Sequence, residues 1–229
     1  MMFYAKFRPL VYIVNVYFLS LSLAADLSSY TVPLSNDKWL ALKCYILITE
    51  SSLISGMKTL RSPSSNLTLK LITYALGTQN YACPRNSTLP SVLRGANATL
   101  IDATPYLNST IFNTIPKILL SIPSTSLQEH FGSEISNQPF DASLTSTIYF
   151  SDSRTFQGRV FDTVRASSNY SVGNDAIDWV ALTTTVENAT LKEVYCVRTA
   201  GGKSPLQCDE KWYEVLFVVP YAAQCWFYG

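Results

Sequence analysis

Histidine is almost missing from this 229-residue chain, which holds one, His130. Any imidazole base or imidazole metal ligand therefore has to be that residue. The five cysteines form no Cys-x-x-Cys pair and no Cys/His cluster, which argues against a zinc site. Glycine is scarce at nine residues, and none falls in a G-x-G-x-x-G pattern. A nicotinamide site would need that turn between a strand and a helix, with an acidic residue about 20 positions on. The glycine pair Gly201-Gly202 lies late in the chain with no βαβ unit after it, so no cofactor is expected. No G-x-S-x-G elbow marks any serine as a nucleophile. Charge is also sparse: 17 basic against 16 acidic side chains, 14% of the chain. That balance gives no electrostatic reason to expect nucleic acid or anionic lipid as a partner. No apolar run reaches the roughly 20 residues of a spanning helix.

What the N-terminus does carry is the layout of an export signal. Lys6 and Arg8 precede a mainly apolar run, Leu10 to Leu23, and Ser22-Leu-Ala24 supplies small residues before a cleavage point. This is the pattern of a secretory signal peptide over residues 1–24. A membrane anchor fits less well, because the run is short and Asn15 interrupts it. Removal of residues 1–24 takes two basic residues and no acidic one, leaving a mature charge near −1. Six sequons agree with export: Asn66, Asn86, Asn97, Asn108, Asn169 and Asn188 each begin an Asn-x-Ser/Thr triplet. Chance in this Ser/Thr-rich composition predicts roughly two or three. Glycosylated positions have to face solvent.

Beyond residue 65 the chain reads as β structure. Leu67–Tyr74, Thr147–Phe150, Gly158–Val164, Asp178–Val186, Leu191–Thr199 and Tyr213–Val219 are rich in β-branched and aromatic residues, with turn formers between them. The last of these is nearly all apolar, as expected of a strand buried on both faces, and Pro220 is expected to break it. Ile115, Ile118, Leu119 and Ile122 repeat at helical spacing, with Thr114 as cap, Pro116 in the first turn and Pro123 as stop. The expectation is an all-β single domain over 66–229, a β-sandwich or barrel with one short helix, reinforced by disulfides. Residues 25–65 form an N-terminal segment.

Three stretches carry a family resemblance: Gly77-Thr-Gln-Asn-Tyr-Ala-Cys83, the run from Val194 through Gly201-Gly202 to Cys208, and Tyr221-Ala-Ala-Gln-Cys-Trp-Phe-Tyr-Gly229. Together they resemble a secreted, mostly fungal and bacterial family known as domain of unknown function thirty-four fifty-five. Fungal members often bear the product name malate dehydrogenase, a label that the missing dinucleotide motif does not support. The resemblance covers roughly Leu67 to Gly229, and Ala96–Asp102, Glu129-His-Phe131 and Ala176–Leu182 resemble internal motifs of the family. It implies that Cys83 pairs with Cys208. Cys196 and Cys225 fall where relatives usually show other residues, which suggests a second bridge if their strands are neighbours with suitable Cβ spacing. Cys44 is left over. Residues 38–61 have no counterpart in the family and read as a lineage-specific insertion or a retained intron. Gly77 stands where relatives carry a longer glycine-containing turn.

The functional candidates follow. His130 fits a family motif, and Asp102 and Asp141 are candidates to orient it as a general base; a histidine hydrogen-bonded at a strand end is the favoured reading. Asp141, Asp162, Asp175 and Asp178 offer no spacing that selects a glycosidase pair. Trp212, Tyr213, Phe217, Tyr221, Trp226, Phe227 and Tyr228 are read as core ahead of a sugar- or lipid-binding face. The loop Thr199–Pro205, with Gly201 and Gly202, is the best candidate functional loop, although a tight turn leading to Cys208 explains it as well. Small residues at 200–202 before an apolar tail also imitate a GPI signal, at the cost of a family strand. The leading expectation is a non-catalytic extracellular binding module for cell-wall carbohydrate or a host surface molecule, with no membrane span. The alternative is a secreted hydrolase built on His130 and a carboxylate.

Overall fold

The computed structural model describes residues 26–34, 59–84, 90–122, 136–141 (backbone alone), 145–166, 175–204, 208 and 216–229. Eight strands form one antiparallel meander: β1 Leu69–Ala82, β2 Val92–Asp102, β3 Ser136–Asp141, β4 Thr145–Phe150, β5 Thr155–Val164, β6 Trp179–Thr184, β7 Glu193–Gly201 and β8 Leu216–Tyr228. Each strand pairs with the next, and β8 returns to β1 along a ladder from Leu69–Tyr228 to Ala82–Leu216. The architecture is therefore the barrel of the two expected all-β alternatives, and closure leaves the sheet without a free edge.

Period-two alternation sorts each strand into two faces. Along β8, Tyr221, Ala223, Cys225 and Phe227 point into the barrel, whereas Ala222, Trp226 and Tyr228 belong to a second apolar cluster outside it. Most of these residues are almost fully buried, because β8 is covered on both sides. The outer cover is the connection after β2, which contains the single short helix α1 (Ile115–Leu119), together with the N-terminal stretches around Val32 and Leu60. Ile115, Pro116 and Leu119 face the barrel wall. Thr114 sits at the N-cap position, but its hydroxyl donates to Ile111 O at 2.9 Å and caps no helical N–H. Polar bonds fix the cover in place. Phe112 O accepts from Gln224 Nε2 at 2.8 Å and from Tyr74 Oη at 3.1 Å, and Trp226 Nε1 donates to Gln224 Oε1 at 3.3 Å.

Three sequence expectations change. Pro220 does not break the last strand; β8 runs through it. The reason is local: β7 ends at Gly201, opposite Tyr221, so residues 216–220 ladder with β1 alone and Pro220 meets no β7 partner. For the same reason the start of β8 is not buried on both faces, and Leu216 and Val218 stand more than half exposed. Gly77 makes no turn. It lies mid-strand in β1 opposite Ala98, where an added Cβ would strike Asn97 O and come within 2.6 Å of the Ala98 Cα. Glycine is required there by close backbone approach.

Leu60 N donates to Leu34 O at 2.9 Å, so the two sides of residues 35–58 already meet. Leu60 is 1% exposed and Arg61 N donates to Asp162 Oδ2, so both belong to the domain. Cys44 lies outside the described residues. We expect a chain in which 35–58 are replaced by a short Gly/Ser link to keep its stability within about 1 kcal/mol of the full chain, because the flanking residues already meet and the entropy of joining them depends only weakly on the length between. Urea titration of both proteins checks this; a loss of several kcal/mol would show that the segment contributes to the core.

The buried tyrosines set an alkaline limit. Burial pushes the phenols of Tyr74, Tyr195 and Tyr221 far above their ordinary value of 10, and those of Tyr81, Tyr106 and Tyr228 upward. A raised folded-state value means that the unfolded chain releases these protons first. Stability is then fully present below about pH 10 and is lost as pH rises from there toward the folded-state values. Base titration followed by circular dichroism is expected to show cooperative unfolding above pH 10, and Tyr221→Phe to delay it.

Candidate functional site: a cavity at one end of the barrel

The barrel is filled unevenly. Around the Tyr228 end of β8, Phe150, Phe156 and Phe227 pack the interior, with Phe150 and Phe227 edge to face at 5.6 Å. Toward the Tyr221 end, the inward positions carry smaller groups: Ala96 on β2, Ala223 on β8, and Cys196 and Cys225 on β7 and β8. Residue volume runs out there, and a cavity of about 210 Å³ remains. Val160, Ile177, Val180 and Leu182 complete an apolar wall.

Polar groups collect at one side of this space. Gln79, Tyr81, Thr163, Asp178 and Thr199 all line it. Gln79 is 8% exposed and Thr199 1%, whereas Thr163 and Asp178 are exposed, so the cavity reaches the surface beside them. Two hydroxyl protons are already engaged: Tyr81 Oη donates to Gly202 O at 2.8 Å, and Thr199 Oγ1 donates to Ile177 O. The Thr199 oxygen retains acceptor capacity, and the Tyr81 oxygen, which already takes a backbone hydrogen bond from Ser204, keeps a remaining lone pair. Burial, with a smaller contribution from the Asp178 charge, holds the Tyr81 phenol above its ordinary value, so it stays protonated at neutral pH.

Both disulfides border this end. Cys196 and Cys225 are directly opposed on β7 and β8 with Cα atoms 4.1 Å apart, and their bridge forms part of the cavity wall. Close cross-strand pairs of this kind are the non-hydrogen-bonded ones. Cys83, one residue past β1, is bonded to Cys208 with Cα atoms 5.6 Å apart. The neighbourhood condition set for the second bridge is thus met by adjacent strands.

The glycine loop belongs to the same region. Gly201 and Gly202 have φ of +64° and +86°, and a Cβ at Gly202 would meet Tyr221 Cβ at 2.7 Å and Ile177 Cγ2 at 2.9 Å, both cavity residues. Gly201 is the last residue of β7 and Gly202 is bridged to Ala176, with Ile177 N donating to Gly201 O at 2.9 Å and the hydroxyls of Ser91 and Ser204 joined beside the pair. The glycine pair is thus part of the barrel wall, and residues 205–207 of the expected turn lie outside the described residues.

The other sequence candidates scatter. Asp102 spends Oδ1 on Thr104 N at 2.9 Å and Thr104 Oγ1 at 2.6 Å, shaping the short 3-10 turn after β2. The backbone of Asp141 ends β3 opposite Gly95. His130, Trp212 and Tyr213 lie outside the described residues. Asp162 accepts from Arg61 N, and Asp175 O accepts from Lys203 N. Tyr221, Trp226, Phe227 and Tyr228 are core, and Phe217 stacks on Tyr81 at 5.9 Å. Of the carboxylates weighed from sequence whose side chains are described, Asp178 is the one that lines the cavity. Among the described residues no cluster of three metal-ligating side chains occurs.

A closed eight-stranded antiparallel barrel of this size, with one end filled and the other left open for a small guest, is a shape other proteins use to hold one ligand. The chain belongs to the family described as "Protein of unknown function (DUF3455)", which matches residues 63–229. That match takes in all eight strands and both bridges. No curated protein and no solved structure matches the chain.

Proposed function

We propose that this chain is an exported, glycosylated, non-catalytic binding module whose ligand site is the barrel cavity. The observation that carries the reading is the apolar cavity of about 210 Å³ with its polar groups gathered on one side. Such a concave, largely pre-formed space with a few placed polar atoms is the ordinary form of a small-ligand site. Of the aromatic side chains that would have made a sugar-stacking face, Tyr221, Trp226, Phe227 and Tyr228 are spent on the core, and Phe217 is half-buried and stacked on Tyr81. The ligand reading therefore moves from the outer surface to the interior.

Export is supported by the signal-like residues 1–24 and by two disulfides, which persist in oxidising compartments. No helix among the described residues is long and apolar enough to cross a membrane. A GPI transfer at 200–202 would discard β8 and with it the strand that closes the barrel. Asn66, Asn97, Asn108 and Asn188 are exposed, as glycan acceptors must be. Asn108 accepts from Tyr30 Oη at 2.9 Å through its oxygen, and not through the nitrogen to which a glycan attaches.

The test is incubation of the secreted, disulfide-intact protein with cell-wall polysaccharides and extracellular small molecules, with binding and product release read in the same wells. Binding without turnover is expected. Sustained release of sugars or acids, abolished in His130→Ala with the fold intact, would replace this reading with the hydrolase alternative.

A further inference from the structure

We infer that the cavity takes a small apolar compound, one ring or a short chain, bearing a single hydrogen-bond donor, and that it rejects carboxylates. The inference rests on the binding-module reading and names the ligand class that the site would accept.

Size sets the first limit. A cavity of about 210 Å³ exceeds the roughly 150 Å³ that suffices for benzene and falls below the roughly 300 Å³ at which drug-sized sites begin. The guest is therefore on the order of ten non-hydrogen atoms. Lining sets the second. Leu93, Ala96, Val160, Val180, Leu182 and the Cys196–Cys225 bridge offer no hydrogen bond of ordinary strength, so a free sugar would leave most of its hydroxyls unpaired.

Polarity sets the third limit, through the direction of the bonds already made. Tyr81 and Thr199 have donated their protons to Gly202 O and Ile177 O. What they still offer a guest is lone pairs, and Asp178 adds an exposed carboxylate on the same side. The Gln79 amide can serve in either sense. The exposed Thr163 hydroxyl can likewise serve in either sense, so three of the five polar groups are acceptors toward the cavity and the matching ligand group is an O–H or N–H. A carboxylate would face the Asp178 charge and the lone pairs of two hydroxyls. Phenols, short alcohols and small aryl amines fit; benzoate and hexanoate do not.

The experiment is calorimetric titration of the secreted full chain with 4-methylphenol, toluene, hexanol, hexanoate and a soluble cell-wall oligosaccharide, repeated on three variants. In the parent, 4-methylphenol and hexanol are expected to bind at least tenfold tighter than toluene, with hexanoate not detected. Ala223→Phe, which fills the cavity from β8, is expected to weaken every binder at least tenfold. Ala96→Leu fills it from β2 and serves where Ala223→Phe misfolds. Gln79→Leu is expected to shrink the preference for 4-methylphenol over toluene while toluene still binds. Hexanoate binding as tightly as hexanol, or binding that survives both filling variants, overturns the inference. If none of the small compounds binds but the oligosaccharide does, unaffected by Ala223→Phe, the cavity is not the site, whereas the chain remains a binding module. Turnover of any compound would instead remove the module reading itself.

Discussion

The double variant Cys83→Ala/Cys208→Ala is expected to lose about 4–5 kcal/mol of folding stability. The bridge spans a sequence separation of 125, and closing so long a loop in the unfolded chain costs it roughly that much conformational freedom. The second bridge does not shorten that loop, because the route through Cys196–Cys225 is no shorter than the direct one. Position adds to the argument. Cys83 follows the last residue of β1, and Cys208 lies in the connection that leads to β8, so the bond clamps the seam at which the barrel closes. Guanidinium unfolding of parent and variant at equal slope measures the difference. A loss below about 1 kcal/mol would mean that the β1–β8 ladder alone holds the seam and that the unfolded chain retains structure. A full loss means that a reducing compartment would leave the domain marginal.

The strands rich in β-branched residues were legible because half-buried pleated surface selects such side chains: β4, β5, β6 and β7 lie within a few residues of their expected places. β2 was visible only as a partial resemblance at Ala96–Asp102. Its inward residues Ala96 and Ala98 are small, and alanine carries little strand signal. β3, with Pro139 and no apolar run, offered nothing to read. Strand patterns alone did not decide between barrel and sandwich, because closure depends on β1 meeting β8 across the whole domain. The cavity was hidden for a related reason. Its walls come from β1, β2, β5, β6, β7 and β8, and what marks it is a deficit of volume at matched heights. Alternation of Ala75 and Gly77 on β1 with Ala96 and Ala98 on β2 and Ala223 on β8 is a pattern of small residues on one face. Read with the barrel in mind, that pattern would have pointed to the space. Asp178 and the Gly201-Gly202 pair stand out in the sequence, but the reason to join them lies in the fold.

Trp226→Ala is expected to cost about 3–5 kcal/mol, the usual penalty for emptying a large aromatic site in a core. Trp226 is 2% exposed on the outer face of β8, with Phe112 edge-on at 6.3 Å and its Nε1–H on Gln224 Oε1. Its loss would loosen the cover that Phe112, Gln224 and Tyr74 hold against the wall. Limited proteolysis is therefore expected to cut first within residues 103–122, and Trp226→Phe to retain most of the stability. Ala223, three residues earlier, points the other way, into the cavity. The two substitutions on one strand should thus separate cleanly. Trp226→Ala weakens the fold and leaves the affinity of the folded fraction for 4-methylphenol within about twofold, because the two faces share no packing partner. Ala223→Phe removes binding with little change in unfolding midpoint. If Trp226→Ala abolished binding in protein shown to be folded, the outer cover and the cavity would be coupled, and the barrel wall between them would have to move when ligand enters.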